Sequence, residues 1–412
     1  MATRPIVTQS PYEMVSVAQA RQIIAGLAHR LGTEQLSAFL AQGRVLAEDI
    51  VSGEDIPPAP RSAVDGYAVR AADGQSPRTV LGEITAGHVL DQSVTTGTAL
   101  RIMTGGLLPE GADSVVMVED TSEQDEVVQI HAAVREGANV HEPGLDLRMG
   151  QVVLRSGTVL GPAELGMLAT IGHVQVSVYR QPRVSMLATG DELVEPWENP
   201  PYGAIRDSNR YAVLAAAREA GATSTWNRIV HDDELATKAA IEEGLAHGDV
   251  LLTSGGVSMG TRDLIKPILE ELGTVQFGRV SFKPGKPLTF ATVGEKLVFG
   301  LPGFPVSSLV TFEVFVRPAL LRMQGHPYPE RPRATVRISR PIRLDPYRPE
   351  YQRAFVHWEN GELVSVDTGI QASSRLMSMV GANALLELEA REGTLQAGDT
   401  VSAMLLATPP NA

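Results

Sequence analysis

The spacing of apolar and polar residues changes character twice along the chain. Between Met14 and Leu31, the residues Val15, Val17, Ala18, Ile23, Ile24, Leu27 and Leu31 recur at helical spacing, which predicts one N-terminal helix. From Arg44 to Val178 the pattern becomes short β-prone runs, TVLGEIT, SVVMVED, VVQIHAAV, GQVVLRSGTVL and HVQVSVY, broken by Gly, Pro and Asp. Such runs predict a β-rich module or two joined by turns. Beyond Pro182 the strand runs RVSMLAT, TSTWNRIV and DVLLTS alternate with the helical runs DSNRYAVLAAAREAGA, DDELATKAAIEEGLAHG and TRDLIKPILEELG. This alternation predicts a parallel sheet with crossover helices, ending in a helix from Val306 to Met323. GHPYPERPRA has no apolar period and reads as a linker. After it, ATVRIS, YQRAFVHWE, LVSVD, ALLELE and TVSAMLL predict a small all-β, barrel-like module.

The predicted fold class is therefore multidomain α+β. Residues 1–181 carry the N-terminal helix and β-rich lid modules, 182–325 an α/β domain with a mostly parallel sheet, and 326–412 the β domain. A chain of 412 residues is long enough for several cores. Apolar residues at 43% and charged residues at 20% argue against wholesale disorder. The net charge of −13 argues against a general nucleic-acid binder, so any anionic ligand needs a local site. There is no Cys, which rules out disulfides, thiolate metal sites and Cys nucleophiles. No signal peptide and no run long enough to span a membrane is evident, so a cytoplasmic protein without membrane partners is expected.

In an open parallel sheet, ligands sit beyond the C-terminal ends of the strands. Four strand ends qualify here: Gly190-Asp191-Glu192, His231-Asp232-Asp233, Thr253 to Asp263, and Pro302 to Ser307. Ser254 and Ser258 offer hydroxyls that suit phosphate or a heterocycle, and Gly255 and Gly256 let a ligand approach the main chain or permit positive φ. The loop SGGVSMG fits neither a P-loop nor a dinucleotide fingerprint. Glu192, Asp232 and Asp263 supply hard oxygens suited to Mg²⁺ beside phosphate, although Asp232 and Asp233 alone read more readily as helix N-terminal carboxylates facing the dipole. Lys283 and Lys286 flank a proline-rich turn and suit an oxyanion, with a solvated basic turn as the alternative. The His residues are dispersed, without an H-E-x-x-H helix, and no G-x-S-x-G elbow occurs.

The segments SAVDGYAV, RIMTGG, ATGDEL, DSNRY, TSGGVSMG, KPGKP, LPGFPVSS and SSRLMSM run in one order over nearly the whole chain. In them the chain resembles the MoeA/gephyrin family of molybdopterin molybdenumtransferases. The resemblance implies a MogA-like molybdopterin-binding α/β domain. It implies insertion of molybdate into adenylylated molybdopterin with Mg²⁺-dependent cleavage of the adenylate and release of AMP. Matched to the family's motifs, Asp207, Ser208, Asn209, Ser254, Gly255, Gly256, Pro302 and Gly303 would hold the pterin and its phosphate, with Ser258 on the same loop. Glu192, Asp232 and Asp263, together with Asp65 and Asp146, match acidic active-site positions, and Thr104 matches the threonine of the MTG motif. Lys283, Lys286 and Ser307 match molybdate-binding positions, and Arg353, Ser373, Ser374 and Arg375 polar positions of the C-terminal module. Thr104 alone reads equally as a cap.

Phe304 departs from the family's usual Asn, and Val64 replaces the commoner Met before Asp65. The resemblance also implies an elongated homodimer, with Asp65, Thr104 and Asp146 completing the site in trans. Molybdopterin adenylyltransferase and molybdoenzyme maturation factors would be its partners. A gephyrin-type scaffold, a molybdopterin adenylyltransferase and a tungstate-inserting relative are the alternatives. The lack of long Pro/Ser-rich linkers counts against the first, and the matched β modules count against the second.

Overall fold

The computed structural model describes residues 12–88, 90–256 and 264–411. Contacts group the chain into two compact units, Gln35–Gln42 with Glu48–Val176, and Met1–Glu34 with Gly43–Ala47 and Ser177–Ala412.

The smaller unit is β-rich. Its six-stranded sheet runs in the order Ser114–Met117, Gly66–Val69, Thr98–Ile102, Arg78–Ile84, Val127–Ile130 and Thr121–Gln124. Strand side chains alternate between faces, and here both faces are covered. Tyr67, Val69, Ala99 and Val128 enter one apolar cluster, whereas Ala68, Leu100, Ile102 and Ile84 enter another. Strands Gly66–Val69, Thr98–Ile102 and Thr121–Gln124 are not among the runs the sequence singles out, and neither is a helix at Pro162–Thr170. Its signals are Pro162 in the first turn and Glu164, whose Oε2 accepts the Gly161 N–H at 2.9 Å.

In the larger unit the N-terminal helix α1 is Val17–Leu27, shorter than the apolar period suggests. Ser16 caps it through a reciprocal box with Gln19. Before the cap, the Val15 backbone bridges to Val280, and its side chain packs against the core of this unit. Contacts place α1 in this larger unit, on helix α6 (Arg317–Met323), and not with the β-rich modules that follow it in sequence.

Six strands form the central sheet: β1 (Arg183–Thr189), β2 (Thr223–Val230), β3 (Val250–Ser254), β4 (Thr274–Phe277), β5 (Thr289–Val293) and β6 (Lys296–Leu301). Their order is β2-β1-β3-β6-β5-β4. The first four are mutually parallel, and β5 and β4 close the sheet antiparallel. Helix α2 (Asn209–Glu219) covers one face, packing Val213 and Ala217 with Val184, Met186 and Leu252. On the other face α3 (Glu234–His247) and α4 (Ile265–Leu272) pack Ile241 and Leu269 with Leu187, Leu251 and Val298. Leu187 and Met186 thus point to opposite faces, as the pleat requires.

The predicted helix from Val306 to Met323 is α5 (Pro305–Thr311), a π turn over Phe312–Val316, and α6. Pro318 has no N–H to return to Val314, so the regular ladder cannot continue there. Nε of Arg21 on α1 donates to the Val314 carbonyl at 3.4 Å.

At the opposite end of the sheet from the strand tips, Asp249 clamps two segments. Its carboxylate accepts Arg180 Nη1 at 2.6 Å and Nη2 at 3.0 Å, and the Arg183 N–H at 2.8 Å. Burial opposes the charge, but these donors outweigh it and hold the carboxyl at about 2, below the ordinary 3.8. A depressed folded-state pKa gives stability that is complete above the unfolded value and fades as pH falls through the folded one. Denaturant midpoints measured from pH 5 to pH 2 are therefore expected to drop more steeply below about pH 4 for the native protein than for Asp249→Asn. Parallel profiles would refute this role.

The C-terminal strands β7 (Arg333–Ile338), β8 (Glu350–Glu359), β9 (Glu362–Asp367), β10 (Ala384–Leu388) and β11 (Thr400–Leu405) close into a barrel in the order β7-β9-β8-β10-β11. Val336, Val356, Leu386 and Ala403 fill it. Tyr351, Leu385 and Met404 instead join the core of the α/β domain, which is why both belong to one unit. The proline-rich segment between them is anchored by Arg331, which donates to Glu313 at 2.9 Å, Glu219 at 2.9 Å and the Leu406 carbonyl at 2.8 Å.

Candidate functional site

The parallel register brings the strand tips to one level, pairing Thr189 with Val230, Ala188 with Ser254 and Ser254 with Leu301. Beyond them, within the larger unit, opens a cleft of about 940 Å³. Chain from the barrel, Gln371 to Ser374, forms part of its wall.

Asn209 ties the cleft together. Its Nδ2 donates to Ser254 Oγ at 2.6 Å and to the Gly303 carbonyl at 2.7 Å, joining the tips of β3 and β6 to the start of α2. Its Oδ1 is buried without a partner among the described residues, leaving an acceptor for a ligand or water. Asp207 and Ser208 line the cleft next to it. The Asp207 carboxylate is already engaged, accepting Arg210 Nε at 3.0 Å and the Arg210 N–H at 3.2 Å. Arg210 also binds Asn227 at 3.0 Å and pairs with Glu195. This buried arginine, to which the DSNRY segment gave no role of its own, holds the loop in place.

Gly255 and Gly256 adopt φ of +90° and +63°. A Cβ on Gly255 would stand 2.3 Å from the Thr189 carbonyl oxygen, so the turn is bare because β1 passes close beneath it. Gly303 differs, since its nearest neighbour would be the Gly255 Cα at 3.9 Å. Among the described residues nothing packs closely on Gly303, which lines the cleft. Pro302 lines the same wall and its carbonyl accepts Ser308 Oγ. Ser307, 4% exposed, also faces the cleft.

Glu192 lines the cleft, its carboxylate lying over Gly190, where a Cβ would meet Oε2 at 2.7 Å. Asp232 stands at the neighbouring tip, its N–H donating to Asp191 Oδ1 at 3.0 Å, while Asp233 caps α3 through the Ala236 N–H at 2.8 Å. Among the described residues, no three His, Asp or Glu side chains gather into a metal cluster. Asp263 and Ser258 lie outside the described residues. Mg²⁺ does not need such a cluster, because one or two carboxylates plus substrate phosphates suffice. Glu192, with no ion pair among the described residues, fits that demand.

The two lysines separate. Lys283 lines the cleft, but its Nζ pairs with Glu350 Oε1 at 3.2 Å, and Glu350 is buried. A buried carboxylate needs such a partner, so Lys283 is structural as well as a potential anion ligand. Lys286, exposed on the same turn, lies outside the lining and makes no ion pair among the described residues. Ser373 and Ser374 line the cleft, whereas Arg375 is exposed and outside the lining. Arg353 is 1% exposed beneath this loop, donating to Ser378 Oγ at 3.1 Å and the Ala372 carbonyl at 3.2 Å. Burial pulls its guanidinium down to about 10, against the pull of Glu350. It supports the cleft wall from behind. Arg348 is a lining residue that sequence reasoning missed; its basic charge stands out only once the barrel is folded against the sheet.

In the smaller unit, Asp65 and Thr104 come together. Asp65 Oδ1 accepts the Thr104 N–H at 2.6 Å and its hydroxyl at 2.7 Å. These two donors, the backbone one first, lower the carboxyl below its usual value. Asp146, also in this unit, is exposed, with its N–H donating to the Ile56 carbonyl at 2.9 Å.

The sequence matches three family models: "MoeA N-terminal region (domain I and II)" over residues 15–172, "Probable molybdopterin binding domain" over 185–322, and "MoeA C-terminal region (domain IV)" over 335–406. A gephyrin of Dictyostelium discoideum is 36% identical over 96% of this chain, which spans 63% of that protein. A molybdopterin molybdenumtransferase of Haemophilus influenzae is 35% identical, covering 94% of this chain and 98% of its own length. The crystal structure of a molybdopterin biosynthesis moeA protein from Pyrococcus horikoshii superposes with a TM-score of 0.81 at 30% identity, covering 95% of this chain and 100% of that one.

Proposed function

This chain belongs to the MoeA family of molybdopterin molybdenumtransferases, the enzymes that insert molybdate into molybdopterin in molybdenum cofactor biosynthesis, and on that premise we propose how its residues divide the work. The observation that carries the proposal is the cleft where Glu192, the Asn209 cross-tie, Gly303 and Ser373 meet. Adenylylated molybdopterin lies there, with its phosphates over Gly303 and Ser254 and its pterin along Asp207 to Asn209.

Glu192, with Asp232 at the neighbouring tip and Asp263 as the family motif implies, holds Mg²⁺ together with substrate phosphate oxygens. Bound there, Mg²⁺ supplies charge neutralisation for cleavage of the adenylate. Lys283 and Ser307 face the incoming molybdate, and Lys286 draws the dianion to the turn. The chain works as a cytoplasmic homodimer in which Asp65, Thr104 and Asp146 of one copy serve the site of another. The Asp65 carboxylate, kept ionised by Thr104, supports that role.

Incubation of the protein with adenylylated molybdopterin, molybdate and Mg²⁺, following AMP release and molybdenum retained on the pterin, tests the reaction. Release no faster than background would sink it. In the same assay Lys286→Ala is expected to raise the molybdate concentration for half-maximal rate roughly tenfold, the value of one charge-assisted contact. The maximal rate should stay near native. A lowered maximal rate with unchanged molybdate dependence would place Lys286 elsewhere in the chemistry.

A further inference from the structure

Phe304 occupies a place that neither packing nor local propensity explains. It lines the cleft and is 58% exposed. It is also the N-cap of α5, with φ −74° and ψ 134°, and makes no side-chain cap hydrogen bond. Ser, Thr, Asp and Asn are strongly preferred there because their side chains accept a free N–H of the first turn, and Phe cannot.

Nor does the ring repay the loss by burial. The aromatic pairs among the described residues join Phe277, Phe282, Phe290, Phe299, Phe315, Tyr351, Phe355 and His357, and Phe304 is in none of them. The residue before it is Gly303, which lines the cleft and has no close neighbour among the described residues. A large apolar ring held in water at the edge of a ligand cleft, at a position that favours a small polar residue, marks a site where local rules yield to function.

We propose that the Phe304 ring is a stacking platform for one planar nitrogen heterocycle of the substrate. The inference rests on the functional reading above, which puts adenylylated molybdopterin in this cleft. That substrate carries two such rings, a pteridine and a purine, and both present flat π-faces to an aromatic side chain. Stacking of a base on an aromatic residue typically changes affinity by roughly 5- to 100-fold when the aromatic is removed. Phe304 thus contributes ring recognition, while the glycines, Asn209 and the serines contact the polar parts.

Titration calorimetry on the full-length protein separates the possibilities, using AMP, 6-hydroxymethylpterin and inorganic phosphate as probes. Phe304→Leu keeps apolar bulk and removes the π-face; it is expected to weaken AMP or the pterin roughly 5- to 100-fold and leave phosphate unchanged. Loss of AMP assigns the purine, and loss of the pterin assigns the pteridine. Phe304→Tyr should bind as the native protein does. Phe304→Asn should lose the same ring ligand while melting on the order of 1–3 °C higher, because the cap is regained. Native-like binding of both ring ligands by Phe304→Leu overturns the platform and leaves the functional reading standing. Equal weakening of phosphate also overturns it, as a sign of a damaged cleft. Native protein that binds neither ring ligand overturns both.

Discussion

Glu192→Gln is expected to slow AMP release by roughly a hundredfold, the scale on which removal of one preorganised charge at a reacting phosphate is felt. The substitution keeps shape and hydrogen-bonding length and removes only the charge. Glu192 follows the tip of β1, and its backbone carbonyl accepts the Ile205 N–H at 2.8 Å, so the turn is held independently of the carboxylate. The melting temperature should therefore stay close to native. If the carboxylate holds a cation, the variant also needs more Mg²⁺ for half-maximal rate. Release followed over a range of Mg²⁺ concentrations checks both points. A native rate would remove Glu192 from the chemistry, and a slow rate with unchanged Mg²⁺ dependence would give it a role other than holding the metal.

The two wall glycines should fail in opposite ways. Gly255→Ala is expected to cost about 3 kcal/mol of stability, because it adds a methyl against the Thr189 carbonyl and forces an L-residue to positive φ. Gly303→Ala adds the same methyl where, among the described residues beyond its chain neighbours, the nearest atom is the Gly255 Cα at 3.9 Å. Its stability should stay within about 0.5 kcal/mol of native. Its affinity for the adenylylated substrate should fall by roughly tenfold, since the methyl enters space the ligand needs. Chemical denaturation and substrate binding, measured on both variants, separate structural from functional glycine. A destabilised Gly303→Ala with native affinity would place the substrate away from this wall.

Much of this architecture was legible in the sequence. The switch from β-prone runs to alternating strands and helices after Pro182 is a short-range signal, because side-chain periodicity follows from backbone geometry alone. Turn chemistry is local too, and so Gly190, Gly255 and Pro302 mark strand ends in the sequence as they do in the fold. The short helix Pro162–Thr170 was missed although its cap residues are present, because β-prone runs surround it. The π turn ahead of Pro318 was missed because its form depends on which groups are left to meet the freed backbone.

By itself, then, the sequence determined the class of the fold, the strand tips that line the cleft and the residue types placed there. Tertiary structure alone decided what those residues are free to do. It gave Lys283 a buried partner, Glu350, from a strand of the barrel, and turned the Asp207 carboxylate onto Arg210. It brought Gln371 to Ser374 into the wall of the cleft. It also distinguished Gly255, pressed against β1, from Gly303, on the wall of the cleft. The physical reason is range. Propensity and periodicity act between neighbours along the chain, whereas charge pairing, burial and close approach depend on residues that become neighbours only when the chain packs.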